Sequence, residues 1–275
     1  MYDILVNTID FESWSRGAQY GTRLAALMQA SVTGAYVYPS PLYASPSFGS
    51  PELVEAVLET ARALEASALA AELPFVSWAN RMGIKHAAWV VGQGNLVDAM
   101  ARIACWHDLL VLEHHPDRTW ATPSDLASVI MAVGLPCIVV PPQPVQTVSL
   151  ARIAIAWNGA AGAVRAVHAA LPLLRQANEV LLLRGAPKET FQEVSWKPPF
   201  DVDAYLDRHG IHVRSRDLLT HERDAGEALL EQADRFHADL LVMGAYGRSR
   251  FSEWALGGAT RHVLSNARLP VLLRY

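Results

Sequence analysis

The 275-residue chain holds only two cysteines, Cys105 and Cys137, and they form no CxxC pair. That excludes a disulfide framework and a cysteine-built metal site. Both thiols are expected in buried apolar segments of a protein kept in a reducing compartment. Charge is sparse as well. Asp, Glu, Lys and Arg make up 18% of the residues and the net charge is −4, so the broad basic surface that holds nucleic acid is missing. Aromatic residues are 8%, and the eight tryptophans are scattered along the chain, which argues against a stacking platform for single strands. No apolar run reaches the roughly 18 residues that span a bilayer. The stretch 130–142 is interrupted by Gly134 and Pro136. The opening residues MYDILVNTIDFES carry Asp3, Asp10 and Glu12 and no basic stretch, unlike a signal peptide. A soluble cytoplasmic protein is expected, without membrane or nucleic-acid partners.

What is present is apolar sequence, 51% of the chain, arranged as short runs alternating with segments of helical period. That alternation predicts βαβ units and a mostly parallel sheet. The landmarks occur twice in one order. Asp3-Ile-Leu-Val6 opens the first half and Arg152-Ile-Ala-Ile-Ala-Trp157 the second; Arg81-Met-Gly-Ile84 matches Arg208-His-Gly-Ile211; Asp108-Leu-Leu-Val-Leu112 matches Asp239-Leu-Leu-Val-Met243; Leu135-Pro-Cys-Ile-Val-Val140 matches Leu269-Pro-Val-Leu-Leu273. A tandem repeat follows, with domains over 1–142 and 149–275 joined by the proline-rich stretch 141–148. Strands are predicted near 3–9, 31–38, 84–91, 109–113 and 137–140, then 151–157, 179–184, 211–217, 239–243 and 270–274. The clearest helix runs from Pro51 to Leu73, capped by Ser50 and ended or kinked by Pro74, with Leu53, Val54, Val57, Leu58, Ala61, Leu64 and Leu69 on one face. The last strands of the two halves, ending at Val140 and Leu273, are expected at sheet edges, where pairing would join the halves as an internal pseudo-dimer. A homodimer of chains is a further expectation.

The chemistry concentrates near the end. The strand Asp239–Met243 runs into Gly244-Ala-Tyr-Gly247, and Gly257-Gly258 follow at a helix start. Glycines there leave N–H groups open to an anion, and the helix N-terminus adds its dipole. Arg248, Arg250 and Arg261 lie in or beside this loop, and residues 148–275 carry 16 Lys/Arg against 14 Asp/Glu, whereas residues 1–147 carry 7 against 13. In an open parallel sheet such a loop would face the turn after the first strand, Trp157-Asn158-Gly159.

The spacing Gly244-x2-Gly247-x9-Gly257 resembles the glycine motif of the ATP-binding branch of the universal stress protein family. Leu256-Gly-Gly-Ala-Thr-Arg-His-Val-Leu264 and Ile153-Ala-Ile-Ala-Trp-Asn-Gly159 carry the same resemblance. It is strong over the second half and weaker over the first. It implies two tandem Rossmann-like α/β domains, each a five-stranded parallel sheet of order 3-2-1-4-5 with helices on both faces. It further implies ATP or another adenine nucleotide, with or without Mg2+, bound in the second domain of a stress-response sensor or switch. Carried over, Met243, Gly244, Gly247 and Gly257 shape the loop; Arg248, Gly258 and Ala259 meet phosphates through backbone groups; Ala156, Trp157 and Asn158 meet the adenosine. Two positions depart from the family's pattern. Gly258 stands where Ser or Thr is usual, which removes a hydroxyl and leaves Thr260 as a substitute. Asn158 stands where Asp is usual.

In the first half the position of Gly244 is held by Glu113, followed by His114-His115-Pro116-Asp117. A carboxylate there repels phosphate, so no ATP is expected in that half. Asp10 is retained near the end of the first strand. His114, His115 and Asp117 lack a second ligand pair at a telling spacing, so no metal site is expected. No GxSxG elbow exists, and Ser249 and Ser252 read as loop residues, so no catalytic residue is assigned. A binding module is the leading expectation. A slow ATP hydrolase or nucleotidyl-transfer enzyme, and a nucleotide-free interaction scaffold, remain as alternatives.

Overall fold

The structure, a computed structural model, describes residues 3–40, 50–115, 122–143, 147–185, 201–218, 224–245 and 257–275. The chain divides into two compact units, Met1–Glu113 with Met131–Leu135, and His114–Ile130 with Pro136–Tyr275.

The first unit is built from β1 (Asp3–Asn7), α1 (Arg16–Met28), β2 (Ser31–Tyr38), α2 (Pro51–Ala70), α3 (Glu72–Arg81), β3 (Ala87–Gln93), α4 (Leu96–Ala104) and β4 (Leu109–Glu113). Its strands lie in the order β3-β2-β1-β4 and pair parallel, with Ile4 level with Leu109 and Gly34 level with Trp89. All five residues of β4 are buried, so both its faces are covered, as a parallel sheet requires.

Helix α2 starts as its sequence dictates. The Ser50 hydroxyl accepts from the Leu53 N–H at 3.4 Å, and Pro51 occupies the first turn. The helix stops at Ala70, and Pro74 falls in the first turn of α3, where a missing N–H is harmless. Its apolar stripe is not a core face, however. Leu53 and Leu69 are 47% and 55% exposed, and Ala68 is the buried residue of the helix.

The tryptophans are less scattered than their sequence positions suggest. Trp14 stacks on Trp78 at 5.4 Å and meets Trp89 edge-on at 5.7 Å, with Phe75 in the same cluster. The Trp89 indole donates to the Ala68 carbonyl at 2.8 Å. Gly34 makes room for this cluster, because a Cβ there would stand 2.6 Å from the Trp89 ring.

The chain continues through α5 (Pro123–Val133) and β5 (Cys137–Val140). Then come β6 (Arg152–Trp157), α6 (Ala161–Leu174), β7 (Glu179–Arg184), α7 (Val202–Arg208), β8 (Val213–Asp217), α8 (Ala225–Arg235), β9 (Leu240–Gly244), α9 (Gly258–Asn266) and β10 (Val271–Arg274). In the second unit β8-β7-β6-β9-β10 pair parallel, which is the order 3-2-1-4-5 within that repeat. One strand is added to the expected five. β5 pairs antiparallel with β10, Val139 against Val271 and Cys137 against Leu273. The last strand of the first repeat therefore groups with the second unit and covers the edge that β10 would otherwise present.

Beyond the stretch 141–148 the chain is held at once. The Asp239 carboxylate accepts from the Ser149 hydroxyl at 2.9 Å and from the Arg152 N–H at 2.8 Å. The two cysteines part company. Cys137 is buried in β5, while Cys105 is exposed after α4, contrary to the expectation that both lie inside. Among the described residues no helix is long and apolar enough to cross a membrane.

Candidate functional site

β6 and β9 are neighbours, with Ile153 level with Leu240 and Ile155 level with Val242. Continuing that register sets Ala156 beside Met243 and Trp157 beside Gly244. β6 connects onward to β7 on one side, and β9 lies on the other, so this is the switch point of strand order, where open parallel sheets bind ligands. Each helix that follows a strand runs back antiparallel to it. The N-termini of α6 and α9 thus belong to the same edge as the ends of β6 and β9.

The turn out of β6 is set by three residues. The Asn158 side-chain oxygen accepts from the Ala160 N–H at 3.1 Å, and Gly159 sits at φ +72°, a left-handed conformation that favours glycine. The acceptor of Asn158 is therefore used in starting α6. Ala156, Trp157 and Asn158 are all half-buried. Trp157 lies level with Arg184 on β7, and Arg184 pairs with Asp203.

Helix α6 then packs on β9 backbone to backbone. A Cβ on Gly244 would stand 2.5 Å from the Ala163 nitrogen, and one on Gly162 would stand 3.2 Å from the Ala245 carbonyl oxygen. Gly244 is thus required for helix packing. Gly162 carries half of that contact, and sequence reasoning missed it because it belongs to no loop motif.

Helix α9 begins at Gly258 with Gly257 as its N-cap, a residue with no side chain to cap it. The first turns of α6 and α9 hold no acidic residue. The amide groups of Gly258, Ala259 and Thr260 supply the positive end of the α9 dipole. Among the described residues a Cβ on Gly258 meets nothing within 4 Å, whereas Thr260 is buried at 5% exposure. Gly247 and Arg248, with the rest of 246–256, lie outside the described residues.

Two cations at this edge were not foreseen. Arg274 at the end of β10 lies level with Gly244. Burial lowers its pKa, the Cys137 thiol works the other way, and Arg165 of α6 lowers it further by repulsion. The Arg165 guanidinium lies 6.0 Å from the ring centre of Tyr275. Their signal was concealed because each sits in an ordinary apolar element.

The equivalent residues of the first unit are engaged internally. The Asp10 carboxylate accepts from the Glu12 N–H at 2.9 Å and from the Ser13 hydroxyl at 2.5 Å. Glu113, 2% exposed, accepts from the Arg16 Nε at 3.1 Å and from the Gly17 N–H at 2.9 Å. Among the described residues no group of three or more His, Cys, Asp and Glu could hold a metal ion. His114 is buried, and burial, with His115 beside it, lowers its pKa.

Residues 150–273 match the model of the universal stress protein family. A universal stress protein of Synechocystis sp. is 24% identical over 196 residues, 69% of this chain and 66% of that protein, so the chain spans just under two thirds of that relative's length. The crystal structure of a universal stress protein from Archaeoglobus fulgidus matches with a TM-score of 0.65 at 13% identity, covering 99% of this chain and 95% of that one. A functionally unknown protein from Pseudomonas aeruginosa matches at 0.58 and 12% identity, covering 100% and 92%. At these identities the likeness to solved structures is one of fold. Over residues 150–273, a little under half of the chain, the sequence is thus similar to the universal stress protein family.

Proposed function

We propose that the second unit binds one adenine nucleotide, ATP or a close relative, and that the chain acts in the stress response as a nucleotide-dependent sensor or switch. One observation carries the reading. Two helix N-termini without acidic residues, those of α6 and α9, belong to the strand-end edge where Asn158 and Gly244 leave adjacent parallel strands. Such an edge favours a phosphate chain. In this reading Ala156, Trp157 and Asn158 meet the adenosine. Met243 and Gly244 bring the chain to the loop, and Gly247, Arg248, Gly257, Gly258, Ala259 and Thr260 surround the phosphates. Arg165 and Arg274 add positive potential nearby. No residue is assigned to catalysis, and the binding role is proposed over an enzymatic one.

The test is direct. Purified chain is denatured, released nucleotides are identified by mass spectrometry, and ATP is titrated calorimetrically with and without magnesium. Bound adenine nucleotide, or saturable binding below millimolar ATP, is expected. Absence of both overturns the reading. Turnover at about 1 per second or faster, a usual lower range for enzymes, would favour the hydrolase alternative.

A further inference from the structure

The two repeats place different groups at one structural position. Gly244 is the last residue of β9, and Glu113 is the last residue of β4. Gly162 is the second residue of α6, and Gly17 is the second residue of α1. In the second unit the two glycines face each other with no side chain between them. In the first, a Cβ on Gly17 would stand 3.1 Å from the Glu113 Cβ, so the glutamate side chain lies between strand end and helix where the second unit packs backbone on backbone. Its carboxylate is bound as a foreign anion would be. One oxygen accepts from the Gly17 N–H in the first turn of α1, the other from the Arg16 guanidinium, and the residue is 2% exposed. A backbone N–H at a helix N-terminus together with an arginine is the donor set of an oxyanion site.

The loop in front of that position is fixed as well. The Ser15 N–H donates to the Asp10 carbonyl at 3.0 Å, and the Ser15 hydroxyl caps α1 through the Ala18 N–H at 3.4 Å. Trp14, at φ +55°, is held against Trp78 and Trp89.

We propose that Glu113 is a built-in ligand: its carboxylate occupies the anion position of the first unit and closes that unit to phosphate. The first unit is a self-occupied copy of an oxyanion site whose chemistry, once the carboxylate is removed, suits inorganic phosphate or the terminal phosphate of a nucleotide. The proposal rests on contacts within the first unit and stands whether or not the second unit binds a nucleotide.

The experiment uses the full chain and inorganic phosphate as the probe, followed by amide NMR. In the parent protein the Gly17 amide is expected to stay fixed as phosphate is added. In Glu113→Ala it is expected to move saturably. In Glu113→Gln, which fills the same space, it is expected to stay fixed. The Gly162 amide reports on the second unit in the same spectra, so failure there is seen separately. A Gly17 amide that ignores phosphate in Glu113→Ala overturns the proposal. So does one that responds equally in the parent. If Glu113→Ala is too unstable for assignment, its thermal midpoint decides. A rise in phosphate or formate, but not in chloride at equal ionic strength, is expected, and an equal rise in chloride overturns the proposal.

Discussion

Gly162 and Gly244 come so close that a Cβ on Gly244 would lie 2.5 Å from the Gly162 carbonyl carbon and 2.5 Å from the Ala163 nitrogen. Backbone on both sides leaves no flexible side chain to yield. Gly244→Ala is therefore expected to destabilise the chain by about 1–3 kcal/mol, the usual cost of overpacking. Gly162→Ala, at 3.2 Å from one carbonyl oxygen, should cost less. Gly258→Ala, which meets nothing within 4 Å among the described residues, should change stability by no more than about 0.5 kcal/mol. Urea unfolding of the three variants checks the order, and an equal loss at Gly258 would contradict it.

Position 258 offers a gain of affinity. Among the described residues nothing stands within 4 Å of a Cβ on Gly258, and a serine hydroxyl at the first residue of α9 adds a donor beside the amides. A hydrogen bond to a charged group contributes about 1.5–3 kcal/mol at best, and a partly solvated one less. Gly258→Ser is expected to tighten ATP binding by roughly three- to tenfold. Calorimetric titration of both proteins measures it. Unchanged or weaker binding would place the phosphates away from the α9 N-terminus.

Gly247→Asp tests the loop itself. If Gly247 meets the phosphates as proposed, a side chain and a negative charge there should abolish ATP binding while the thermal midpoint of the ligand-free protein stays within a few degrees. Binding that survives unchanged would move the site elsewhere.

The thiols should separate by reactivity. Burial pushes the Cys137 thiol up to about 12, against the opposing pull of Arg274, whereas Cys105 is exposed. Thiolate is the reactive form. A disulfide reagent near pH 8 should modify Cys105 rapidly and Cys137 only after denaturation. Peptide mapping after a short pulse identifies the modified residue, and early labelling of Cys137 would contradict the strand's burial.

Acid should weaken the fold partly through His114. Its pKa in the folded chain lies below the ordinary 6.5, chiefly through burial and secondarily through His115. The unfolded chain therefore binds the proton more readily. The contribution is present above about 6.5 and is lost as pH falls below it. The urea midpoint of the parent should drop more between pH 7.5 and 5.5 than that of His114→Gln. Equal drops would remove His114 from the account.

The strand positions were legible because each is a short apolar run between polar punctuation, and all ten occur within a few residues of expectation. The starts of β3 and β8 came later than expected, at Ala87 and Val213, since an apolar residue such as Ile84 or Ile211 marks burial and not strand pairing. The turn at Asn158-Gly159 was legible from its turn chemistry. What stayed hidden depends on contacts distant in sequence. Nothing local tells Gly162 apart from a helix glycine of low propensity, and its meaning comes from β9, some eighty residues later. The bond between Gly17 and Glu113 spans 96 residues, so Glu113 could be read as an anion but not as a cap for α1. The exposed stripe of α2 shows the converse, a helical period without a core to receive it.

The antiparallel pairing of β5 with β10 bears on how the chain is made. Val139 leaves the ribosome long before its partner Val271. At about 5–20 residues per second the delay over roughly 130 residues is on the order of ten seconds. During that interval an apolar strand, Cys-Ile-Val-Val, has no native neighbour on the side that β10 will cover. The nascent chain thus passes through a window in which its middle is the adhesive part. A holdase that recognises short β-branched segments would act on residues 137–140, and slowing translation beyond them would lengthen the exposure.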